Sequence, residues 1–307
     1  MKEKIRQVFD NNITLIEQTD KAVYYFREEK YDKALAYVAD SVEGINVLVR
    51  AILDETEYFS KVEEASLISM IEGILLAKRM GDYVLLADLY ELQLSNFLSE
   101  IQEMIIEKEE FSYSVEIYEQ NLKKIEEIDS NLYKRLKEPE DARKLLEKGY
   151  AVEYSSCGLM TLAALQKGHK FYFHTNNHVI QEAFLLANKW AKKKAGIYHV
   201  YGLGLTYHIQ ELMKLSKEAE IYIYESDFNI IRLACNFVDL QDIFDNKRVH
   251  FIFDKTLEIM EKAVKNCSGD AYVAVHYPSY RNGKKDKTFL EPYIAGIHVL
   301  EDCECVI

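Results

Sequence analysis

The sequence predicts an α/β protein in which an all-α domain precedes a Rossmann-like, mostly parallel sheet. Three observations carry this. Residues 1–112 contain no proline and keep their apolar residues at helical spacing. From about residue 150, short apolar β-type runs alternate with helical segments, the pattern of a parallel sheet covered by helices on both faces. One run, "IYHVY", leads into Gly202-Leu203-Gly204 and then an amphipathic helix, as the first strand of many nucleotide-binding folds does.

The helical half comes first. Val23, Phe26, Ala34, Leu35 and Val38 mark an apolar stripe, and "EEKYDKALAYVADSVEGINVLVRAIL" reads as one helix ending and another starting near Tyr31. In "KRMGDYVLLADLYELQL", Gly81 suits a helix C-terminal stop and Asp82 the cap of the next helix. Four or five antiparallel helices are expected here. The region resembles helical-hairpin arrays such as tetratricopeptide repeats only loosely, since no strict period is visible. Its charged faces read as solvated surface, with a protein-binding groove as the alternative.

The sheet half follows, giving domains 1–112 and 113–307. "YAVEYSS", "LMTLAAL" and "KFYFHT" are short β segments, and a helix is expected over 178–194. After "IYHVY" come "EIYIYES", "RVHFIFD", "AYVAVHYP" and "AGIHVL" as strands, with helices over 228–235 and 256–266 between them.

Bulk properties narrow the function. The 307-residue chain carries a formal net charge of -13, which argues against nucleic acid or an anionic membrane surface as partner. No apolar run reaches the ~18 residues a membrane helix needs, and "MKEKIRQVFDNN" lacks a signal-peptide core. A cytoplasmic location is expected, with Cys157, Cys235, Cys267, Cys303 and Cys305 as reduced thiols. The C-x-C at 303–305 has no second pair to complete a zinc site.

Ligands of such sheets sit beyond the carboxyl ends of the strands, near the point where strand order reverses. There the sequence places Gly202 and Gly204, whose backbone permits a close approach to a ligand. Glu225 follows the next strand, about 20 residues on, where an acid can accept from a ribose diol. Asp254 follows the third strand, and His276, Tyr277, Pro278 and Tyr280 the fourth. Each residue also has a plainer reading: the glycines as a packing turn, Glu225 and Asp254 as helix-cap neighbours. His174, with Asn176, lines the pocket mouth, unless "TNN" merely caps the next helix. His208 touches an anionic group or is an exposed helix histidine. Tyr207 stands where the dinucleotide fingerprint has its third glycine, which disfavours NAD. Methyltransferases of this arrangement usually carry an acid where Val200 stands, and "HYPSY" matches their Asn/Asp-Pro-Pro-Tyr signature only faintly. No Ser-His-Asp set, His-x-x-x-His pair or Walker loop occurs, so no catalytic residue is named and no metal is assigned.

"VYGLGLTYHIQELMK" followed by "IYIYESDFNIIRLAC" resembles the N-terminal Rossmann-like domain of the motility accessory factor family. "FHTNNHVIQEAFLLANKW" is similar to that domain's His-Ser-x-x-x-x-x-x-Glu-Ala helix start, with Thr175 in place of Ser, and "YEQNLKKIEEIDSNLYKRL" to its opening Asn-Leu helix. The resemblance spans residues 115–307. It implies a shared fold and a role tied to flagellin glycosylation, where the family members are nonulosonic-acid glycosyltransferases. In those members a further domain, opening on a Gly-Pro-Ser-Leu turn, carries the transfer chemistry. No such turn occurs here. The expectation is therefore a binding protein for a small nucleoside-containing ligand, a nucleotide or nucleotide-sugar, in surface or flagellar glycosylation. One alternative is an S-adenosylmethionine-dependent methyltransferase of the same sheet type. The other is a non-catalytic scaffold with a protein partner on its helical domain.

Overall fold

The computed structural model describes residues 3–109, 115–138, 142–166, 169–267, 269–283 and 288–298. The chain forms two compact units. The first is Met1–Ser112 with Tyr154–Leu159 and Asn176–Gln181; the second is Tyr113–Glu153, Met160–Thr175 and Glu182–Ile307.

The first unit is built on α1 (Glu3–Arg27), α2 (Tyr31–Asp54), α3 (Glu64–Met80), α4 (Tyr83–Leu89) and α5 (Ser95–Lys108), with a π-turn at Tyr90–Leu94 between the last two. Residues 3–109 are thus helical apart from the connections between helices, the longest over 55–63, as the proline-free apolar spacing predicts. Ile5, Val8, Leu15, Ile16, Ala22 and Phe26 form the buried stripe of α1. The caps follow local chemistry. Gly81 ends α3 at φ +70, the left-handed conformation glycine tolerates, and the Asp82 carboxylate accepts from Leu85 N–H at 3.0 Å to start α4. At Gly44 α1 and α2 lie so close that a Cβ would come within 2.7 Å of Leu15 Cδ2.

The second unit begins with α6 (Val115–Ile128), α7 (Ser130–Leu136) and α8 (Ala142–Glu147). Next come β1 (Tyr150–Tyr154), β2 (Met160–Gln166) and β3 (His169–Tyr172), a three-stranded sheet in the order β1-β2-β3 in which β2 and β3 are antiparallel. After α9 (Val179–Ala191) the regular alternation starts. It runs β4 (Ile197–Tyr201), α10 (Tyr207–Leu215), β5 (Glu220–Glu225), α11 (Phe228–Phe237), α12 (Gln241–Phe244), β6 (Val249–Phe253), α13 (Glu258–Lys265), β7 (Ala271–Val275) and α14 (Tyr277–Asn282). The four strands are parallel in the order β6-β5-β4-β7. Register aligns their carboxyl ends: Tyr201 faces Tyr224 on one side and Val275 on the other, and Glu225 faces Phe253. Order reverses between β4 and β7, which makes that crevice the topological switch point.

One expectation needs correcting. "AGIHVL" was expected as a strand. Its described residues, Ala295–His298, instead end the helix α15 (Glu291–His298), which follows a 3-10 turn at Thr288–Leu290. Pro292 sits in the first helical turn, where its fixed φ favours helix and its missing N–H costs nothing. Val299, Leu300 and the C-x-C lie outside the described residues. No helix among the described residues is long and apolar enough to cross a membrane.

Candidate functional site

The chain leaves β4 through a strained turn. Gly202 (φ +101), Gly204 (φ +51) and Thr206 (φ +67) are all left-handed within five residues, and Thr206, lacking glycine's freedom, carries about 1–2 kcal/mol of strain there. The space beside the glycines is filled by side chains. A Cβ on Gly202 would stand 2.4 Å from Ser279 Cβ; one on Gly204 would stand 2.6 Å from His174 Nε2 and 3.3 Å from His276 Cε1. The close approach that glycine permits here is therefore to histidine.

Those histidines form a cluster at the switch point. His174 follows β3, His208 lies in the first turn of α10 and His276 follows β7. All three are buried. The His208 and His276 rings stack at 4.2 Å and 10°, and His174 stacks on His276 at 5.2 Å. His174 Nε2 accepts the Leu205 N–H at 2.9 Å, His208 Nε2 bonds the Gly202 carbonyl at 3.0 Å, and His276 Nδ1 bonds Ser279 Oγ at 2.8 Å. Burial, with the neighbouring rings, holds His174 and His276 well below the usual imidazole range, and burial brings His208 down to about 4. All three are neutral at pH 7. Tyr207 sits edge-on to His174 at 5.1 Å and donates its hydroxyl to the Met160 carbonyl at 2.9 Å.

The two acids close loops. Glu225 is buried, and its carboxylate accepts N–H groups of Leu203 (2.9 Å), Ser226 (2.7 Å) and Asp227 (2.8 Å), tying the β4 turn to the β5 turn. Asp254 is also buried, and its Oδ2 accepts the Met260 N–H at 2.8 Å in the first turn of α13. Directly after His174, the Thr175 N–H donates to Glu182 Oε2 at 2.5 Å. Of the remaining candidates, Tyr280 is half-buried against Tyr277. Asn176 is exposed and belongs to the helical unit.

The open space at the carboxyl edge lies over β5 and β6. A cleft of about 640 Å³ is lined by Arg135, Glu147, Lys148, Tyr150, Ser226, Asp227, Phe228, Asn229, Phe253, Lys255 and Gly283. That is a usual size for a small-molecule site. Arg135 lies over the Phe228 and Phe253 rings at 4.3 and 5.1 Å, a cation–π platform. The Asp227 side chain starts α11 by accepting the Asn229 N–H at 2.9 Å and also accepts the Tyr150 hydroxyl, which in turn accepts from Asn282 Nδ2 at 3.1 Å. Burial and then the Asp227 charge push the Tyr150 hydroxyl pKa up, so it stays a donor. Three basic side chains against two acidic ones make this wall locally positive on an acidic chain. None of these residues was singled out from the sequence. Phe228 opens a predicted helix and Phe253 lies in a predicted strand; Arg135, Lys148 and Tyr150 precede the parallel sheet and carry no motif.

The family described as "Glycosyltransferase Maf N-terminal domain" matches residues 94–291. The chain belongs to that family. A second description, a domain of unknown function (DUF8042), matches residues 3–104, so the Maf match takes in the whole parallel sheet and the other covers most of the helical unit. Among solved structures, the chain is similar to the Maf glycosyltransferase from Magnetospirillum magneticum AMB-1 at 14% identity and a TM-score of 0.34, over 52% of this chain and 32% of that one. The chain thus spans about a third of that protein's length, and the likeness is too loose to carry residue roles across. No curated protein matches. In this Maf-family chain the distinctive glycine turn, the histidine before α9 and Glu225 all serve the closure of the switch point.

Proposed function

We propose that this Maf-family chain binds an anionic, nucleoside-containing ligand of the nucleotide-sugar kind in the cleft over β5 and β6, and serves a surface or flagellar glycosylation system by doing so. The observation that carries the reading is the pairing of a cationic wall (Arg135, Lys148, Lys255) with the Phe228 and Phe253 rings beside the start of α11. Phosphate oxygens meet the basic groups, with Arg135 held in place by the Phe228 and Phe253 rings beneath it. The reading is of binding, with no transfer step assigned to residues of the cleft. The S-adenosylmethionine reading is the less favoured one, since a Cβ on Gly204 would already meet His174 and His276.

Calorimetry with CMP-sugars, UDP-sugars, inorganic pyrophosphate and S-adenosylmethionine tests this. A nucleotide-sugar should bind, more weakly as salt rises, and Arg135→Ala should weaken it about tenfold or more, the cost of one charged hydrogen bond. Binding of S-adenosylmethionine alone, or of nothing in the panel, overturns the proposal.

A further inference from the structure

The histidine cluster has chemistry the cleft does not use. We propose that His174, His208 and His276 form a site for one borderline divalent transition metal, of the Zn²⁺ class, at the switch point of the sheet. Each side chain offers a nitrogen donor, and the three donor atoms lie within 4.8 Å of one another. They come from three separate segments, so an ion there would clamp the end of β3, the start of α10 and the end of β7 together.

A second observation points the same way. His208 Nδ1 is fully enclosed and has no hydrogen-bond partner among the described atoms. A buried acceptor without a partner is uncommon and costly. Its other ring nitrogen, Nε2, bonds the Gly202 carbonyl, which fixes the proton on Nε2 and leaves the lone pair on Nδ1. A metal-ligating histidine has this arrangement, with the distal N–H held by a backbone carbonyl. The His276 ring is also held by a backbone group, that of Phe173. Gly204 keeps a side chain out of the space between His174 and His276, which its Cβ would occupy.

The donor set selects the ion. Neutral imidazoles suit Zn²⁺, Ni²⁺, Cu²⁺ or Fe²⁺, whereas Mg²⁺ and Ca²⁺ need oxygen ligands. Metal–nitrogen bonds of about 2.0–2.1 Å bring tetrahedral donors to roughly 3.3 Å apart, so the rings must turn inward. That movement exchanges the Ser279 bond to His276 and the Leu205 bond to His174 for coordination. Three protein ligands leave a fourth position for water or an exogenous ligand.

The test uses the full chain with Cys303→Ser and Cys305→Ser, which removes the C-x-C thiolates as competitors. Co²⁺ titration should give one ion per chain, with visible d–d bands, no thiolate charge-transfer band, and displacement by Zn²⁺. Bound Co²⁺ should also quench Trp190, whose ring is 5.8 Å from that of His208. His208→Gln keeps an amide donor for the Gly202 carbonyl and deletes the Nδ1 lone pair. It should fold with wild-type Trp190 emission and bind Co²⁺ at least about tenfold more weakly. A second reading needs no substitution: in imidazole ¹⁵N spectra, Zn²⁺ should shift His174, His208 and His276. The proposal is overturned if the folded chain takes up no Co²⁺, if His208→Gln binds as tightly, if the spectrum is that of thiolate ligation, or if Zn²⁺ shifts only other histidines.

Discussion

Replacing Gly204 with alanine puts two costs on one atom. At φ +51 a non-glycine residue pays about 1–2 kcal/mol for the left-handed backbone. The new Cβ also lands 2.6 Å from His174 Nε2, and moving that ring breaks contacts: it is 3% exposed, stacked on His276, and accepts the Leu205 N–H. Displacing it leaves a buried N–H unpaired, a further ~1–3 kcal/mol. Gly204→Ala should therefore lose about 2–5 kcal/mol, adding the backbone and displacement costs. Gly81→Ala supplies the backbone-only reference, since Gly81 is left-handed at φ +70 and a Cβ there meets nothing within 4 Å. Trp190 makes the assay specific: it is the chain's one tryptophan, it is buried, and it lies beside His208. Urea unfolding followed by its fluorescence reports the α/β unit, and circular dichroism follows Gly81→Ala in the helical unit. In a His174→Ala background the Gly204→Ala cost should shrink to the backbone part. Equal costs for Gly204→Ala and Gly81→Ala, or no relief in the His174→Ala background, would refute the packing argument.

Further expectations concern charge. The unfolded chain protonates its histidines near pH 6.5, whereas the fold brings His208 down to about 4 and holds the other two well below the usual imidazole range. The α/β unit should hold full stability above about pH 6.5 and lose about 1.4 kcal/mol per pH unit through His208 as pH falls toward 4, with His174 and His276 adding loss in the same direction; a flat Trp190 urea midpoint over that window would contradict this. Asp20 behaves oppositely in the helical unit, where burial, partly offset by Lys21, pushes it up to about 7 and its Oδ2 has no partner among the described atoms. The unfolded chain ionises it near pH 3.8, so its cost grows as pH rises to 7, and Asp20→Asn should stabilise α1 above pH 7 by at most about 4 kcal/mol, with no gain near pH 4, read by hydrogen exchange. Glu225→Ala strips three backbone N–H groups of their shared acceptor and should destabilise the α/β unit by roughly 2–4 kcal/mol with no ligand present; an unchanged urea midpoint would return Glu225 to a purely ligand-facing role.

Local chemistry was legible in the sequence, and long-range convergence was not. Gly81 and Asp82 announce the α3–α4 junction because caps depend on neighbours a few residues away. The β4–turn–α10–β5 unit is visible because its apolar runs are buried on both faces. "AGIHVL" misleads because a short apolar run suits either period, and Pro292, before it, decides for helix. His208 was read as an exposed helix residue or an anion contact; it is buried because the left-handed turn at Gly202–Thr206 aims the first turn of α10 inward. Nothing local says that His174, 34 residues earlier, and His276, 68 later, meet it there. The cleft was hidden for the same reason, since Arg135 reaches Phe228 and Phe253 only once the segment before the sheet has packed against it.

The central claim is that ligand binds over β5 and β6 while the glycine turn is closed by histidine. Parallel calorimetric titration of Arg135→Ala and Gly204→Ala with the nucleotide-sugar that binds the unmutated chain tests it most directly, under conditions where Trp190 emission shows both variants folded. The account predicts about tenfold or greater loss of affinity in Arg135→Ala and near-wild-type affinity in Gly204→Ala. Loss of binding in the folded Gly204→Ala protein, with Arg135→Ala unaffected, would place the ligand at the glycine turn and contradict it.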